Sequence, residues 1–372
     1  MKKKIFAVLL SAMMVCFAVA GCGSQESSSG EPSTSLKAED VFGEDITTEG
    51  SETTEAIVEE NVEGKYRSEL TNEWIDEALK NQRPVAIMVD NEKTALDHYG
   101  LTQADIVYEM MNSTLNGEVT RLMAIVKDWD SITRFGSIRS IRPTNLMIGP
   151  EYNAVMIHDG GPFYIDVYLK NPWVDNLSGG FARIDNGKPR EFTEYVTTGE
   201  VAKRIKNSGY DTEYNSYYKG AHWTFSDPSA PTDLSVQTDS KDCTLVDLPF
   251  PHNGSELEYD EASGTYLYYE YSKAHIDPEN GNKQLAFTNV ILQCAKHEVY
   301  DENGYMFFNL INQSGKGYYI TGGKAIPVTW EKGHDTDPTK FYDANGNEIK
   351  LNTGKTYVGL VSTDRWSELI LK

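Results

Sequence analysis

The sequence predicts a mixed fold of the α/β and α+β kind, in which an N-terminal α/β domain is followed by a mainly β C-terminal domain. The first half of the chain alternates apolar, strand-like runs with helix signals. The second half contains short aromatic and β-branched runs with hairpin turns between them. A turn-rich segment, "SDPSAPTD" at 226–233, separates the two patterns.

The first 21 residues have the pattern of a signal peptide. Three lysines precede an apolar run from Ile5 to Ala20, and small residues lead up to Cys22. This ending is typical of bacterial lipoproteins, in which cleavage makes the cysteine the first residue and acyl chains such as palmitate anchor it. We therefore predict lipidation at Cys22 and a location on the extracytoplasmic face of the cell membrane. The alternative is an ordinary secreted protein with a cysteine at its cleavage site.

Residues 22–65 are predicted to be the lipidated cysteine followed by a disordered acidic tether. The segment has too little apolar surface to offset the conformational entropy that folding would cost. The whole chain is acidic as well, with 56 Asp and Glu against 34 Lys and Arg and a formal net charge of −22. Such a charge argues against nucleic acid as a partner, because the two would repel each other.

Five strand-like runs and two helices are predicted in the first folded domain, residues 66–225. The runs lie at 85–91, 105–111, 121–128, 134–140 and 153–159. Several of them are continuously apolar, which is typical of strands covered on both faces, so the sheet is expected to be mostly covered. One helix is predicted after Pro162. Another is predicted after the capping box of Thr197 and Glu200, with its end at Gly209.

The second folded domain, residues 235–372, is predicted to be mainly β. Its strand-like runs are TYLYYEYS, TNVILQCA, YMFFNLI, GYYIT and YVGLVS. Hairpin turns are indicated at Asn303-Gly304, Gly322-Gly323 and Asn345-Gly346. Cys243 and Cys294 are predicted to form one disulfide or to remain two buried thiols, since both outcomes occur in proteins outside the cytoplasm.

Long motifs in both halves carry a family resemblance. In the first half they are "RPVAIMVDN", "GLTQADIVYE", "GEVTRLMAIV", "RFGSIRSIRP" and "YNAVMIHDGG". In the second half they are "HIDPENGNKQLAFTNVILQ", "GKGYYITGGKAIPVTWEK" and "TKFYDANGNEIKLNTGKTYV". With these motifs the chain resembles the YerB-like lipoproteins of Gram-positive bacteria, a two-domain family of unknown function. The resemblance implies the two adjoining domains and the lipid anchor, but no mechanism.

Charged and polar residues lie where the predicted strands of the first domain end. Ligands of open α/β sheets bind outside the carboxyl ends of strands, and arginine matches the oxygens of phosphate and carboxylate groups. The candidate anion-binding residues are Arg134, Arg139, Arg142, His158, Gly160 and Gly161. The candidate acidic or cation-binding residues are Asp90, Asp105 and Asp159. The alternative is that the arginines form structural ion pairs with Asp90, Asp105 or Glu109.

No metal site is predicted, because the seven histidines show no ligand spacing. The common motifs of hydrolases, nucleotide-binding enzymes and metalloproteases do not occur in the sequence, and no catalytic residue is assigned. No cofactor is predicted either, except for a divalent cation held by Asp90 and Asp105 if the chain is an enzyme.

The sequence therefore predicts a membrane-anchored extracytoplasmic lipoprotein that acts as an accessory or ligand-binding protein of the cell envelope. Its expected partner is an envelope protein or a wall polymer. The alternative is an envelope enzyme that acts on a phosphorylated or pyrophosphorylated cell-wall precursor. A similarity to the LytR–CpsA–Psr phosphotransferases implies this alternative, through the order of "ADIVY", an apolar strand and the arginine-rich segment. Whether the chain is an enzyme stays open at this level.

Overall fold

The computed structural model describes residues 62–372. The predicted signal peptide, the lipidation site at Cys22 and nearly all of the tether lie outside the described residues. Between residues 62 and 372, none of the helices combines the length and the apolar character that a membrane span requires.

The first half of the described chain contains ten strands and three α-helices. The strands are β1 (Lys65–Arg67), β2 (Trp74–Asp76), β3 (Val85–Asp90), β4 (Ile106–Met111), β5 (Thr120–Val126), β6 (Arg134–Gly136), β7 (Val155–His158), β8 (Asn176–Ser178), β9 (Ala182–Arg183) and β10 (Glu194–Thr197). The helices are α1 (Pro143–Ile148), α2 (Asp166–Leu169) and α3 (Glu200–Ser208). Short 3-10 helices lie in many of the connections.

The second half contains strands only, apart from further 3-10 helices. They are β11 (Lys241–Asp242), β12 (Leu245–Asp247), β13 (Glu256–Asp260), β14 (Thr265–Glu270), β15 (Lys273–Ala274), β16 (Ile276–Asp277), β17 (Lys283–Gln284), β18 (Ala286–Phe287), β19 (Asn289–Ala295), β20 (His297–Val299), β21 (Met306–Phe308), β22 (Gln313–Thr321), β23 (Lys324–Lys332), β24 (Lys340–Tyr342), β25 (Thr356–Ser362) and β26 (Ile370–Leu371). The prediction of a mainly β second half agrees with this order of elements.

One mixed sheet of eleven strands runs through both halves. Its order is β11-β23-β22-β19-β25-β4-β5-β3-β7-β8, and β24 pairs with β23. The two halves meet where β25 pairs in parallel with β4, with Thr356 opposite Ile106 and Leu360 opposite Met110. The central sheet is thus common to both halves, and the boundaries 66–225 and 235–372 of the two domains stay a prediction.

The central strands are buried along their whole length, as their continuously apolar sequences predict. Every residue of β3, β4, β5, β19 and β25 is buried. A second sheet, in the order β15-β14-β13-β12-β26 with β18 on β14, contacts the central one. The rings of Tyr268 and Phe287 from this second sheet pack on the ring of Tyr357 in β25.

The prediction of an α/β first domain is confirmed only in part. All five predicted strands are present, but the described chain is mostly β and its helices are few and short. After Pro162 the chain forms only the 3-10 helix Phe163–Ile165 and the four-residue α2. The physical reason lies in the connections, because β3, β5 and β4 pair antiparallel and such pairs require no crossover helix.

Local signals in the sequence are confirmed at the glycines but not at the predicted capping box. The backbone N–H and the hydroxyl of Thr197 donate to Glu200 Oε2 at 3.2 and 3.1 Å, but α3 begins at Glu200 with Gly199 as its N-cap and has no side-chain cap. Gly209 ends this helix with a φ of +70°, a conformation that glycine adopts without strain. Gly322-Gly323 forms the hairpin between β22 and β23.

The two cysteines of the second half are free thiols. Cys243 and Cys294 are both buried and are not bonded to each other, so the disulfide alternative is wrong. Burial raises the pKa of Cys243 to about 12, and the thiol is therefore protonated at neutral pH and packs as a small apolar group.

Candidate anion-binding cleft

A cleft of about 730 Å³ opens at the end of the central sheet where β3 ends and β5 begins. Its polar lining is dominated by charged side chains and one tyrosine, namely Asp90, Arg121, Arg139, Arg142, Glu191 and Tyr305. We call it the arginine cleft. Its volume is within the range of small-molecule binding sites in proteins.

Strand pairing and one helix cap place the three arginines on this cleft. Arg121 lies directly opposite Asp90 in the antiparallel pair of β5 and β3. Arg139 follows β6 in an extended segment whose backbone N–H donates to Met88 O at 2.9 Å. Arg142 precedes α1, and its backbone N–H donates to Asn145 Oδ1 at 2.9 Å, which caps the helix.

Arg139 is an ion-paired arginine. Its Nε lies 2.7 Å from Asp90 Oδ2 and its Nη2 lies 2.6 Å from Glu191 Oε2. Burial would lower the pKa of Arg139, but the two carboxylates raise it above its ordinary value. The sequence alternative of a structural ion pair with Asp90 therefore describes this arginine correctly.

Arg121 is a buried arginine without a carboxylate partner among residues 62–372. Its Nη1 donates to Ser140 O at 3.0 Å, and its buried Nε has no hydrogen-bond partner. Burial lowers the pKa of Arg121 to about 9, with Asp90 raising it and the nearby Arg142 and Arg139 lowering it further. The guanidinium is still charged at neutral pH, and an anion beside it would stabilise that charge.

Arg142 is placed in a similar way. Its Nη1 donates to Ile141 O at 3.0 Å, its guanidinium carbon lies 4.2 Å from the centre of the Tyr305 ring, and its buried Nε has no partner. Burial lowers the pKa of Arg142 below its ordinary value. No ion pair to Arg142 occurs in the part of the chain that the structure describes.

The charges of the cleft are separated in space. Asp90, Glu92 and Glu191 line it together with the three arginines, so the formal charges cancel. Two of these carboxylates are bound to Arg139, however, whereas Arg121 and Arg142 make no ion pair within residues 62–372. An anionic ligand can therefore bind near Arg121 and Arg142, where its oxygens would accept hydrogen bonds from the two guanidiniums.

Arg134 is not part of this cleft, which corrects the prediction that all three arginines of "RFGSIRSIRP" form one site. Its Nη2 lies 3.0 Å from Glu279 Oε2, and its guanidinium stacks 3.4 Å from the centre of the Tyr99 ring. The reason is the pairing of β6 with β10, which directs residue 134 away from the end of β3.

The turn around His158 lies beside the cleft but does not line it. His158 is buried, and its Nδ1 is 2.8 Å from Gly160 O. The backbone N–H of Ile141 donates to Gly160 O at 3.1 Å, so this turn supports the arginine segment. Asp159 faces Arg183 at 3.3 Å. The prediction that this turn binds an anion is therefore corrected. The turn supports the arginine segment and does not line the cleft, and this holds for His158, Asp159, Gly160 and Gly161.

Asp90 and Asp105 do not form a joint cation site, which corrects that expectation. Asp90 ends β3 and Asp105 precedes β4, and both strands pair antiparallel with β5. The register places Asp90 opposite Arg121 and Ile106 opposite Ile125. The backbones of the two residues thus lie at opposite ends of β5, about 17 Å apart at roughly 3.4 Å per residue.

The pH dependence of stability is predicted to report on Asp105. Burial raises its pKa to about 6, although Lys355 and the N–H of Lys127 lower it in part. A raised carboxyl pKa stabilises the folded state below the unfolded value of 3.8, and this stabilisation is lost as pH rises through about 6. The variant Asp105→Asn should lack this pH-dependent loss. Between pH 4 and pH 7.5 its free energy of unfolding should therefore rise by roughly 2–3 kcal/mol relative to that of the parent. Urea unfolding at both pH values measures the difference, and an equal difference at the two would contradict the assignment.

Sequence reasoning missed three charged residues and one tyrosine of the cleft, namely Glu92, Arg121, Glu191 and Tyr305. Arg121 was visible only as the first residue of an apolar run, "RLMAIVKD", where it resembles a strand flank. Its position opposite Asp90 follows from the β3–β5 register, which single-strand patterns do not contain. Tyr305 comes from the second half, and its approach to Arg142 depends on the tertiary fold.

Family models match both halves of the chain. The N-terminal domain of a protein family of unknown function, DUF3048, matches residues 70–211, and its C-terminal domain matches residues 246–358. The chain belongs to the DUF3048 family. The arginine cleft is lined by residues of both matched regions of this chain, because Arg121 lies in the first region and Tyr305 in the second.

Known proteins similar to this DUF3048 chain confirm the resemblance to YerB-like lipoproteins. "Putative lipoprotein YerB" of Bacillus subtilis (strain 168) is 24% identical over 304 residues, which are 80% of this chain and 86% of that protein. The crystal structure of YerB from Bacillus subtilis matches with a TM-score of 0.67 and 22% identity, over 80% of this chain and 97% of that chain. At this level of identity the structural match concerns the fold alone.

Proposed function

We propose that this protein is a membrane-anchored lipoprotein on the extracytoplasmic face of the cell membrane, and that it binds a phosphate- or pyrophosphate-bearing molecule of the cell envelope in the arginine cleft. The observation that carries the proposal is the pair of buried guanidiniums, Arg121 and Arg142, which have no carboxylate partner in residues 62–372 and open onto a cleft of about 730 Å³. Buried cations are costly unless an anion neutralises them.

Phosphate oxygens fit this arrangement. The side chains of Arg121 and Arg142 line the cleft, and guanidinium groups bind phosphate oxygens through their N–H groups. Arg139 is already neutralised by Asp90 and Glu191, so the proposed phosphate contacts are those of Arg121 and Arg142. The ring of Tyr305 under Arg142 orients that guanidinium toward the cleft.

The proposed location rests on two independent supports. The lipoprotein pattern ending at Cys22 predicts the anchor, and the relative from Bacillus subtilis carries the name "Putative lipoprotein YerB".

The proposal is restricted to binding. The hydroxyls of the cleft lining, those of Thr94, Ser140 and Tyr305, do not donate to a histidine or carboxylate within the described chain. Catalysis on a wall precursor stays a prediction of the sequence that no further observation favours.

Calorimetric titration of the full chain in detergent tests this function. Inorganic pyrophosphate, inorganic phosphate and citrate are compared, with and without magnesium. We expect pyrophosphate to bind best, and we expect Arg121→Gln and Arg142→Gln each to weaken it about tenfold or more, because each removes charge-assisted hydrogen bonds. At a hundredfold excess over its dissociation constant, the ligand should stabilise the parent by about 2.7 kcal/mol.

Arg134→Gln is the matched control. It removes an arginine of the same sequence motif that lies outside the cleft, so pyrophosphate affinity should not change. Unfolding curves without ligand establish that each variant is folded. If the parent binds none of the three anions, or if Arg121→Gln and Arg142→Gln bind pyrophosphate as the parent does, the proposal is wrong. Tighter binding of citrate would reassign the cleft to carboxylate ligands.

A further inference from the structure

Two buried histidines and a buried glutamate from opposite halves of the chain meet beside β3. His98 lies in the connection after β3, whereas Glu270 ends β14 and His275 follows β15. All three side chains are buried. The rings of His98 and His275 lie with their centres 5.0 Å apart. Each of the three residues offers one ligand atom, and these three atoms all lie within 4.8 Å of one another.

One nitrogen of each ring is held by the protein. His98 Nε2 is 2.6 Å from the backbone carbonyl of Asp90, and His275 Nδ1 is 2.7 Å from Glu270 Oε1. The remaining nitrogens, His98 Nδ1 and His275 Nε2, are buried and have no hydrogen-bond partner. Two orphaned nitrogens on neighbouring rings are unusual in a protein interior, where polar atoms are nearly always paired.

The geometry matches the second shell of known metal sites. A ligating histidine commonly donates its other ring N–H to a carbonyl or carboxylate, which fixes the tautomer and the orientation of the ring. The Asp90 carbonyl serves His98 in this way and leaves His98 Nδ1 for an ion. Glu270 is a ligand of the proposed ion and not a second-shell group, so the ion would take the place of the proton between Glu270 Oε1 and His275 Nδ1.

We propose that His98, Glu270 and His275 bind one divalent first-row transition-metal ion, with zinc as the first candidate. Two imidazoles and one carboxylate form a common donor set for such ions. In a tetrahedral zinc site neighbouring ligand atoms are about 3.3 Å apart, so the three atoms would approach one another by about 1.5 Å at most. A cavity of about 220 Å³ that His275 and Glu270 line can supply water as a further ligand.

The ion would connect the two halves and support the arginine cleft. His98 belongs to the first matched region and the other two ligands to the second. The carbonyl that holds His98 is that of Asp90, whose carboxylate holds Arg139 in the cleft. An ion bound here would thus restrict the residue that positions Arg139, without touching the cleft itself.

Metal titration of the full chain tests the site. The chain is stripped with EDTA, dialysed and titrated with zinc chloride in a calorimeter. We expect one zinc per chain and a higher unfolding temperature with zinc. We expect His98→Gln and His275→Gln each to reduce the affinity at least tenfold, and cobalt(II) to give visible absorption bands that Glu270→Gln shifts or removes.

His297→Gln is the control, because His297 lies in β20 beside Asp364 and outside the proposed site. Its zinc affinity should equal that of the parent. Unfolding curves in EDTA show whether each variant is folded. The proposal is overturned if the parent binds no zinc, or if folded His98→Gln or His275→Gln binds zinc with the parent's affinity. If neither histidine variant folds, the parent's cobalt spectrum decides, and a spectrum of hydrated cobalt only would overturn the site.

Discussion

Replacement of Glu151 by glutamine is expected to lower the free energy of unfolding by about 3–5 kcal/mol, because it removes the anion from a buried charge network. The carboxylate of Glu151 lies 2.9 Å from Lys332 Nζ and 2.6 Å from His222 Nε2. It also accepts hydrogen bonds from Thr339, from the backbone N–H at 2.8 Å and from the hydroxyl at 3.0 Å. The side chains of Glu151, His222 and Lys332 are essentially inaccessible to solvent.

The expected size follows from the burial of Lys332. Burial alone would raise the pKa of Glu151, but Lys332 and His222 lower it below its ordinary value. In the variant, Lys332 keeps the carbonyls of Asp335 and Asp337, at 3.2 and 2.7 Å, but within residues 62–372 no carboxylate then pairs with its charge. Because Glu151 is in the first half and Lys332 in β23 of the second, the loss should weaken the contact between the halves.

Urea unfolding followed by tryptophan fluorescence measures this effect. Glu348→Gln is the matched control, because it removes a glutamate that pairs with Lys340 at 2.7 Å near the surface. That partly exposed pair is worth at most about 1 kcal/mol. A loss below about 1 kcal/mol for Glu151→Gln, similar to that of the control, would show that the buried network contributes little.

Replacement of Glu109 by alanine should cost a similar amount, about 4 kcal/mol or more, for a different reason. Its carboxylate lies between the central sheet and the second sheet and accepts five hydrogen bonds from buried side chains. The donors are Tyr357 at 2.7 Å, Thr120 at 2.7 Å, Ser255 at 2.7 Å, Tyr268 at 2.9 Å and Asn91 at 3.3 Å. Without the acceptor, each buried donor that stays unpaired costs about 1–3 kcal/mol.

A double-mutant cycle with Tyr357→Phe measures this network. Tyr357→Phe removes one donor and should cost about 1–2 kcal/mol, since the other four donors still reach the carboxylate. The loss in Glu109→Ala/Tyr357→Phe should be smaller than the sum of the single losses, because the tyrosine hydroxyl has no acceptor once Glu109 is gone. Additive losses would mean that the two groups are not coupled.

The strands were predictable because their signal is local. Continuous apolar runs placed β3, β4, β5 and β7 within one or two residues, and glycine pairs marked the hairpins. Helix α1 was missed, because its six residues are all buried and show no polar face. The antiparallel pairing, which makes crossover helices unnecessary, could not be predicted from the sequence either, because it depends on which strands become neighbours.

The arginine cleft was predictable only in part. Arg139, Arg142 and Asp90 were placed correctly together, because they lie at the ends of strands and in one short motif. Arg134 was assigned to the same site by sequence proximity, but it faces Glu279. Alternation along an extended segment and pairing with β10 separate residues that are only five positions apart.

The sequence by itself determined the strands, the helix α3 with its glycine end, the acidic character and the predicted lipoprotein leader, because each depends on neighbours within a few residues. Only the tertiary structure decided which distant side chains meet. Arg121 lies opposite Asp90 through strand register, and His98 meets His275 across 177 positions through the contact of the two halves. The physical reason is that burial and strand pairing bring together groups whose chemistry no local pattern records.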